Sequence, residues 1–424
     1  MLTAHATAPA ARSRLPVATE PACRLCGSRL HRSLIDLGCQ PLANRTIAAG
    51  APDGPSYSLH ARICDDCKLV QLSDVAPAAI LAAETPSLSS KSPARLMQAR
   101  RYADIACKRL KLDGNALVIE IGSNDGYLLR HFHAAGIPVL GIECAPIAAT
   151  ATMELGIPTE TGFFAAESAM EIAVRHGRAD LVVANNVLQQ VPDLFDFAAG
   201  FASILRPNGV LMLQVPHLLS LLQRVQFDAF RHDTYAYLSL QVLERILRSV
   251  GLRIFDAERI PDHGGSLRVQ ACHAVSAIAT KPGLKSVRMA EAFAELERPD
   301  LFTGFSAVVA AACREIRDFL HIRRTAGRRV AAYGAATRGC SMLNACGVTT
   351  AEIACVADPD PAMHGRFLPG SRIPIVSLEV LLAEPPDDIL VLPWTNTAEV
   401  AAPLHPLRQR GTSLWTAIPR IARL

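Results

Sequence analysis

Ala116-Leu117-Val118-Ile119-Glu120-Ile121-Gly122-Ser123-Asn124-Asp125-Gly126-Tyr127-Leu128-Leu129-Arg130 is the stretch whose reading decides the fold. The apolar, β-branched run 116–121 reads as a buried strand, Gly122 and Gly126 punctuate a tight loop, and the residues after it open a helix. A glycine loop in that place lets a ligand approach the backbone at the carboxyl end of a parallel strand. The spacing is not the dinucleotide G-x-G-x-x-G. Glu120 near the strand's end and Asp125 in the loop suit the cationic amino-acid portion of S-adenosylmethionine (SAM) better than a pyrophosphate. The next strand, 139–142, ends in Glu143, an acid placed to accept hydrogen bonds from both ribose hydroxyls. A third strand, 180–184, runs into Asn185-Asn186-Val187-Leu188, and a fourth, 209–216, follows a helix closed by Arg206-Pro207-Asn208-Gly209. A lone glycine loop would suit an NAD enzyme equally; four sheet-end loops in this order favour SAM. The cofactor-binding candidates are therefore Glu120, Gly122, Asn124, Asp125, Gly126, Glu143, Asn185 and Asn186. Asn186 and Gln189 also suit either the lining of a methyl-transfer channel or the capping of a helix.

Outward from this core, 424 residues exceed one ordinary domain. The chain divides into a disordered leader at 1–19, a zinc-binding module at 20–75, a SAM domain at 76–284 and a second Rossmann-like domain at 285–424. The leader has Arg12 and Arg14 but no continuous apolar core, so it reads as the start of a cytoplasmic protein rather than a secretory signal, with a transit peptide as the other reading. A formal net charge of +4, with arginines scattered, excludes the basic stripe of a nucleic-acid binder. The apolar runs at 210–215 and 389–393 are strand-sized, too short to span a membrane. The expected partner is a small molecule, with the chain a monomer or homodimer. Of 12 cysteines, four form two C-x-x-C pairs, Cys23-Arg24-Leu25-Cys26 and Cys64-Asp65-Asp66-Cys67. Each pair presents two thiolates from one turn, as a structural, tetrahedral zinc site requires. The other reading is four unliganded thiols, with a redox role for one pair, and it leaves two matching pairs unexplained.

The last domain repeats the first pattern. The strand 329–333 ends in Gly334-Ala335-Ala336-Thr337-Arg338-Gly339, with further strands at 353–356, leading to Asp358, and at 388–392; a helical connection over 285–325 precedes them. This domain reads either as a ligand-enclosing unit or as a scaffold.

These residues resemble the sugar C-methyltransferase family of deoxysugar biosynthesis. The matches run from Cys23-Arg-Leu-Cys-Gly-Ser28 and Asp36-Leu-Gly-Cys-Gln-Pro-Leu-Ala-Asn44 through Glu120-Ile-Gly-Ser-Asn-Asp-Gly-Tyr-Leu-Leu129 and Asn185-Asn-Val-Leu188. They continue with His263-Gly-Gly-Ser-Leu-Arg268, Tyr333-Gly-Ala-Ala336, His364-Gly-Arg366 with Pro369-Gly370, and Leu392-Pro-Trp394. The resemblance implies a class I SAM-methyltransferase α/β core between the zinc module and the C-terminal domain. It also implies methylation of C3 in a dTDP-linked 4-keto-deoxysugar. Such a carbon becomes nucleophilic only when a base removes its proton and the enolate oxygen is stabilised.

The family's catalytic segment is Tyr-His-Glu-His after a Phe-Asp pair, its last His the implied base. Here Phe227-Asp228 leads to Arg231-His232-Asp233-Thr234, so Arg stands for Tyr, Asp for Glu, and Thr234 for the base. A threonine hydroxyl does not accept that proton near neutral pH. Either His232 or His263 serves instead, or the acceptor is an oxygen, a nitrogen or a non-sugar, or the chain is a non-catalytic SAM-binding scaffold. Arg231 offers a fixed charge for an enolate, carboxylate or phosphate, and Asp233 a carboxylate beside it. His232-Asp233 also suits a structural pair. His263 opens His-Gly-Gly-Ser, in which Gly264, Gly265 and Ser266 join Tyr237 as substrate-binding candidates; the same four residues suit a tight turn. The run Thr85-Pro86-Ser87-Leu88-Ser89-Ser90 lacks the aromatics usual before the family's SAM domain, which implies a reshaped pocket or a plain linker.

Overall fold

A computed structural model describes residues 21–74, 88–146, 148–296, 298 and 302–424; the leader expected at 1–19 lies outside them. The first C-x-x-C turn precedes, and the second links β2 to β3 within, an antiparallel meander of β1 (Arg32–Pro41), β2 (Ser56–Ile63) and β3 (Val70–Leu72). Its fourth strand comes from far along the chain, as shown below.

Ser92 accepts a hydrogen bond from the Arg95 amide and Pro93 occupies the first turn, so α1 (Pro93–Leu110) starts there. Next come β4 (Val118–Ile121), β5 (Val139–Glu143) and β6 (Thr159–Thr161), then α2 (Ala166–His176), β7 (Ala179–Asn185), α3 (Leu194–Ile204) and β8 (Leu205–Pro216). The residues of β4 and β5 are buried throughout, as helices on both faces of a parallel sheet demand. After β9 (Ala236–Tyr237), β10 (Leu252–Ile260) and β11 (Ser266–His273) form a hairpin. The sheet order is β10-β11-β8-β7-β4-β5-β6, with β11 antiparallel to both neighbours. This is the class I methyltransferase arrangement. The reversed strand matters for function, because it brings the β10–β11 turn to the same end of the sheet as the loops after β4, β5, β7 and β8. Residues 206–209 close no helix; they lie within β8, which begins where Leu205 pairs with Ala179.

β9 leaves this domain and pairs with β3 through Val70↔Tyr237 and Gln71↔Ala236, completing the zinc module's sheet in the order β1-β2-β3-β9. The helix α4 (Pro282–Phe293) packs on β10, so a division at 284/285 passes through one helix. After α5 (Phe305–Thr325) come β12 (Val330–Tyr333), α6 (Thr337–Ala345), β13 (Val356–Ala357), β14 (Ile375–Val376), β15 (Asp388–Val391), β16 (Ser413–Thr416) and β17 (Ala422–Arg423). They form a second, mostly parallel sheet in the order β14-β13-β12-β15-β16-β17. The C-terminal domain also clasps the zinc module: Ile47 and Phe367 exchange backbone hydrogen bonds of 2.8 Å, and Arg366 donates to the Thr46 hydroxyl and carbonyl. No helix among the described residues is long and apolar enough to cross a membrane.

α2 and α3 meet through Phe164, Phe197 and Phe201, whose rings lie 5.2–5.8 Å apart, and Gly200 lets the Phe164 ring close on the α3 backbone. A Cβ at Gly200 would lie 2.7 Å from that ring. Gly200→Val is expected to destabilise the fold by about 1–3 kcal/mol through overpacking, read as a lower urea midpoint at unchanged slope.

Candidate active site and metal centre

The loops at the carboxyl edge of the SAM-domain sheet carry buried acceptors that find no donor among the described residues. Both carboxylate oxygens of Glu120 lack a partner, as do Asp125 Oδ1, Asn185 Oδ1, Asn186 Oδ1 and Gln189 Oε1. Buried acceptors without donors are costly, so this edge fits a ligand that brings its own. Burial, then the nearby Glu143 and Asp125 carboxylates, push the Glu120 carboxyl well above its usual range. A cationic ligand relieves that crowding. SAM supplies an ammonium, a sulfonium, ribose hydroxyls and an adenine amine, and the residue set fits it.

Glu143 is not wholly free for this purpose. It accepts the Asn124 amide at 2.8 Å and the Ala145 amide at 3.0 Å, which fixes the carboxylate against the glycine loop. Gly122 has φ +72°, and a Cβ there would run into Val187. Thr85, Pro86 and Ser87 lie outside the described residues, but the following serines are more than linker. Ser89 and Ser90 donate their amides to Asn124 Oδ1 (2.9 Å) and Asp125 Oδ2 (3.0 Å), laying the start of α1 across the loop.

Four cysteines make the metal centre. The sulfurs of Cys23, Cys26, Cys64 and Cys67 all lie within 4.8 Å of one another, a set that fits one tetrahedral zinc ion. Gln71 Nε2 donates to Cys23 Sγ at 3.0 Å, while its Oε1 accepts the Arg24 amide at 3.0 Å. Arg24, inside the first knuckle, reaches onward to the carbonyls of Leu72 (2.9 Å) and Tyr235 (3.0 Å). The Tyr235 amide donates to the Gln189 carbonyl at the end of β7. Segment 231–237 is thus held between the metal centre and the crevice.

Within that segment the structure corrects several expectations. His232 is 4% exposed and turned toward the zinc module, its Nε2 donating to the Tyr57 carbonyl at 3.1 Å. An imidazole anchored in this way is a poor candidate for the base. The Arg231 guanidinium grips Asp233 through two bonds of 3.0 and 2.9 Å, so each offsets the charge the other would offer an acceptor. Tyr237 is 2% exposed in β9 and its hydroxyl accepts the Arg231 amide at 3.2 Å, so it packs within the segment it belongs to.

The His263-Gly-Gly-Ser turn is likewise filled by protein. Gly265 has φ +120°, and a Cβ there would sit 2.6 Å from Ser220; a Cβ at Gly264 would meet Gln226 and Trp394. The Ser266 hydroxyl is buried and donates to the Asp262 carbonyl at 2.9 Å. Gly264 and Gly265 thus let protein side chains pack closely on this turn, and Ser266 closes it from within. His263 itself has φ +55° and keeps part of its surface exposed. The surrounding protein nonetheless withdraws enough water to push its pKa down to about 4; Arg95, Arg338 and Arg231 push the same way and Asp262 opposes them.

The sequence reading missed the residues that hold these pieces together. Asp228, 1% exposed, accepts from Arg338 Nε and Nη2 at 2.8 and 2.9 Å and from Trp394 Nε1 at 2.8 Å. Phe227-Asp228 served there only to set the register, and Arg338 and Trp394 lay in quoted motifs without a role. In the C-terminal domain, Asp358 mirrors Glu143: it accepts the Ala335 amide of the glycine loop (2.7 Å) and the Asp360 amide two residues on (2.9 Å).

Chelating the zinc is expected to speed amide hydrogen exchange across 231–237. Arg24→Ala should do the same with the metal retained, because both remove the same tether. Unchanged exchange in Arg24→Ala at full zinc content would show that the tether does not order the segment.

Three families match the chain in sequence order: a zinc binding domain over residues 23–81, a methyltransferase domain over 94–257 and a C-methyltransferase C-terminal domain over 261–419. C-methyltransferase NovU of Streptomyces niveus is 31% identical over 399 residues, 94% of this chain and 95% of its own. A ubiquinone biosynthesis O-methyltransferase of Aromatoleum aromaticum is 28% identical over 40% of this chain and 74% of its own. Among solved structures, a SAM-dependent methyltransferase of Clostridium acetobutylicum aligns with a TM-score of 0.35 and 9% identity over 42% of this chain and 92% of its own. The fold rests on the strand order, not on that likeness. With all three family matches in order and a relative spanning nearly its whole length, the chain is a SAM-dependent methyltransferase with a zinc-binding module and belongs to the C-methyltransferase family that its sequence resembles.

Proposed function

We propose that this enzyme methylates the carbon beside the ketone of a nucleotide-linked, dTDP-type keto-deoxysugar through an enolate, with His263 as the base. One observation carries the reading. Of the two histidines open to that role, His232 is buried against the zinc module and only His263 is exposed, in a turn that the reversed strand β11 brings to the cofactor edge. Its low pKa keeps the imidazole neutral, and therefore able to accept a proton, throughout the physiological range.

The remaining roles follow from chemistry. SAM, when bound, supplies an electrophilic methyl group; Glu120, Asp125, Glu143, Asn185 and Asn186 would hold it, with Gly122, Asn124 and Gly126 shaping the loop. His263 takes the proton from the sugar carbon. With Arg231 paired to Asp233 and Arg338 to Asp228, it falls to Arg95 to favour the negative charge that then develops on the ketone oxygen. Arg95, which forms no side-chain hydrogen bond or ion pair among the described residues, is the freest of them to meet an anion. Thr234 takes no part in the proton transfer; it sits buried beside Asp233. A small nucleotide-sugar partner in the cytoplasm accords with this chemistry.

The test is S-adenosylhomocysteine release from zinc-loaded enzyme against dTDP-linked 4-keto sugars. His263→Ala is expected to lower kcat about 100-fold or more, the usual worth of a general base, while Thr234→Ala stays near the parent. The acid limb of kcat/KM should fall well below 6.5, toward 4, since a base with a lowered pKa stays competent until that pH is reached. Tight SAM binding with no turnover of any keto sugar would instead favour an oxygen, nitrogen or non-sugar acceptor, or a scaffold.

A further inference from the structure

The His263 backbone is unusual and needs external support. His263, Gly264 and Gly265 have consecutive φ values of +55°, +91° and +120°. A positive φ is uncommon for a residue other than glycine, although histidine tolerates it better than most, so contacts that hold the turn matter. The carbonyls of the turn show how this is done. Gly264 O accepts from Gln226 Nε2 at 2.7 Å and Arg224 Nη1 at 3.2 Å, and His263 O accepts from Arg338 Nη1 at 3.0 Å.

Arg338 does more than close that bond. It stands in the first turn of α6, in the C-terminal domain, and stacks on Trp394 with its guanidinium carbon 5.1 Å from the ring centroid. Its Nη2 also donates to Gln226 Oε1 at 3.0 Å, orienting the amide whose other end holds Gly264. Its fork on buried Asp228 fixes the segment that leads into 231–237. One planar cation therefore joins the histidine turn, the Gln226 amide and the Asp228 segment, a task suited to a rigid multi-donor fork and not to a lysine.

We propose that Arg338 is the positioning residue for His263, so that the C-terminal domain completes the active site by holding this turn in place. The assignment rests on the reading of His263 as the base. Arg338 acts through the turn and does not touch the reacting atoms. The charged groups facing His263 are Arg95 from α1, Arg231 from the segment after β8, Asp262 from the turn and Arg338 itself.

The first test needs no acceptor. The His263 imidazole is titrated by NMR in the full-length, zinc-loaded protein and in Arg338→Gln and Arg338→Lys, with His263→Gln assigning the resonance. The titration is expected to depart from the parent in both Arg338→Gln and Arg338→Lys, since each loses the fork that holds the turn, and to move to higher pH in Arg338→Gln, which also loses the charge. A parental titration in Arg338→Gln would overturn the proposal. The second test is S-adenosylhomocysteine release with a dTDP-linked 4-keto-deoxysugar. Arg338→Gln and Arg338→Lys should both lose about 100-fold in kcat with SAM affinity within about twofold of the parent, as expected for a reacting group displaced by around 1 Å. Arg366→Gln, which breaks a domain contact away from the site, should keep its kcat. Loss of turnover in His263→Gln together with parental turnover in Arg338→Gln would overturn this proposal alone, whereas parental turnover in His263→Gln would overturn the base reading beneath it.

Discussion

A carboxylate that stays charged out of water is costly unless it is paired, and in this protein the pairing of Asp228 ties domains together. Its two oxygens receive a guanidinium and an indole N–H from the C-terminal domain, and both donors arrive from more than 100 residues away in sequence. Removing either partner of such a buried pair typically costs about 3–5 kcal/mol, because the survivor stays buried and uncompensated. A domain that contributes the counter-ion cannot swing free without exposing that cost. The crevice is therefore built with its third wall fixed in place.

The opposite wall depends on a different chemistry. The four thiols gather around a point and give the zinc module an energy source that its small core lacks; for structural zinc sites metal binding is worth on the order of 10 kcal/mol or more. Through Arg24, Gln71 and the β3–β9 pairing, that energy is spent on a segment of the methyltransferase domain. Residues 226–237 are accordingly shared property. One end is set by the C-terminal domain, the other by the metal, and the Tyr235 amide holds the middle to β7 through Gln189.

What could be read from the residues was whatever depends on local pattern. Continuous apolar runs gave the strands β4, β5, β7, β8, β12 and β15, paired C-x-x-C turns gave the metal centre, and acids at strand ends gave the cofactor edge. Polar side chains whose meaning depends on a distant partner could not be read in this way. His232-Asp233 invites a pairing between neighbours, yet Asp233 takes Arg231 while His232 takes a carbonyl 175 residues earlier. His-Gly-Gly-Ser invites a ligand, yet Ser220, Gln226 and Trp394 already occupy the space its glycines open. Glycine reports that something comes close; it does not report what. Arg338 was invisible for the same reason, since an arginine after a glycine loop suggests an anion until Asp228 is seen beside it.

The strand that β9 lends to the first sheet bears on synthesis. The zinc module leaves the ribosome before the methyltransferase domain, but Gln71 must wait for Ala236, about 165 residues later, before its sheet is complete. At ribosomal elongation rates that interval is on the order of ten to thirty seconds. Through it, β3 presents an unpaired edge of the kind that recruits other chains. A metal bound by the four cysteines, all of which precede β3, ties the half-built module together while the strand that will cover its edge is still being translated.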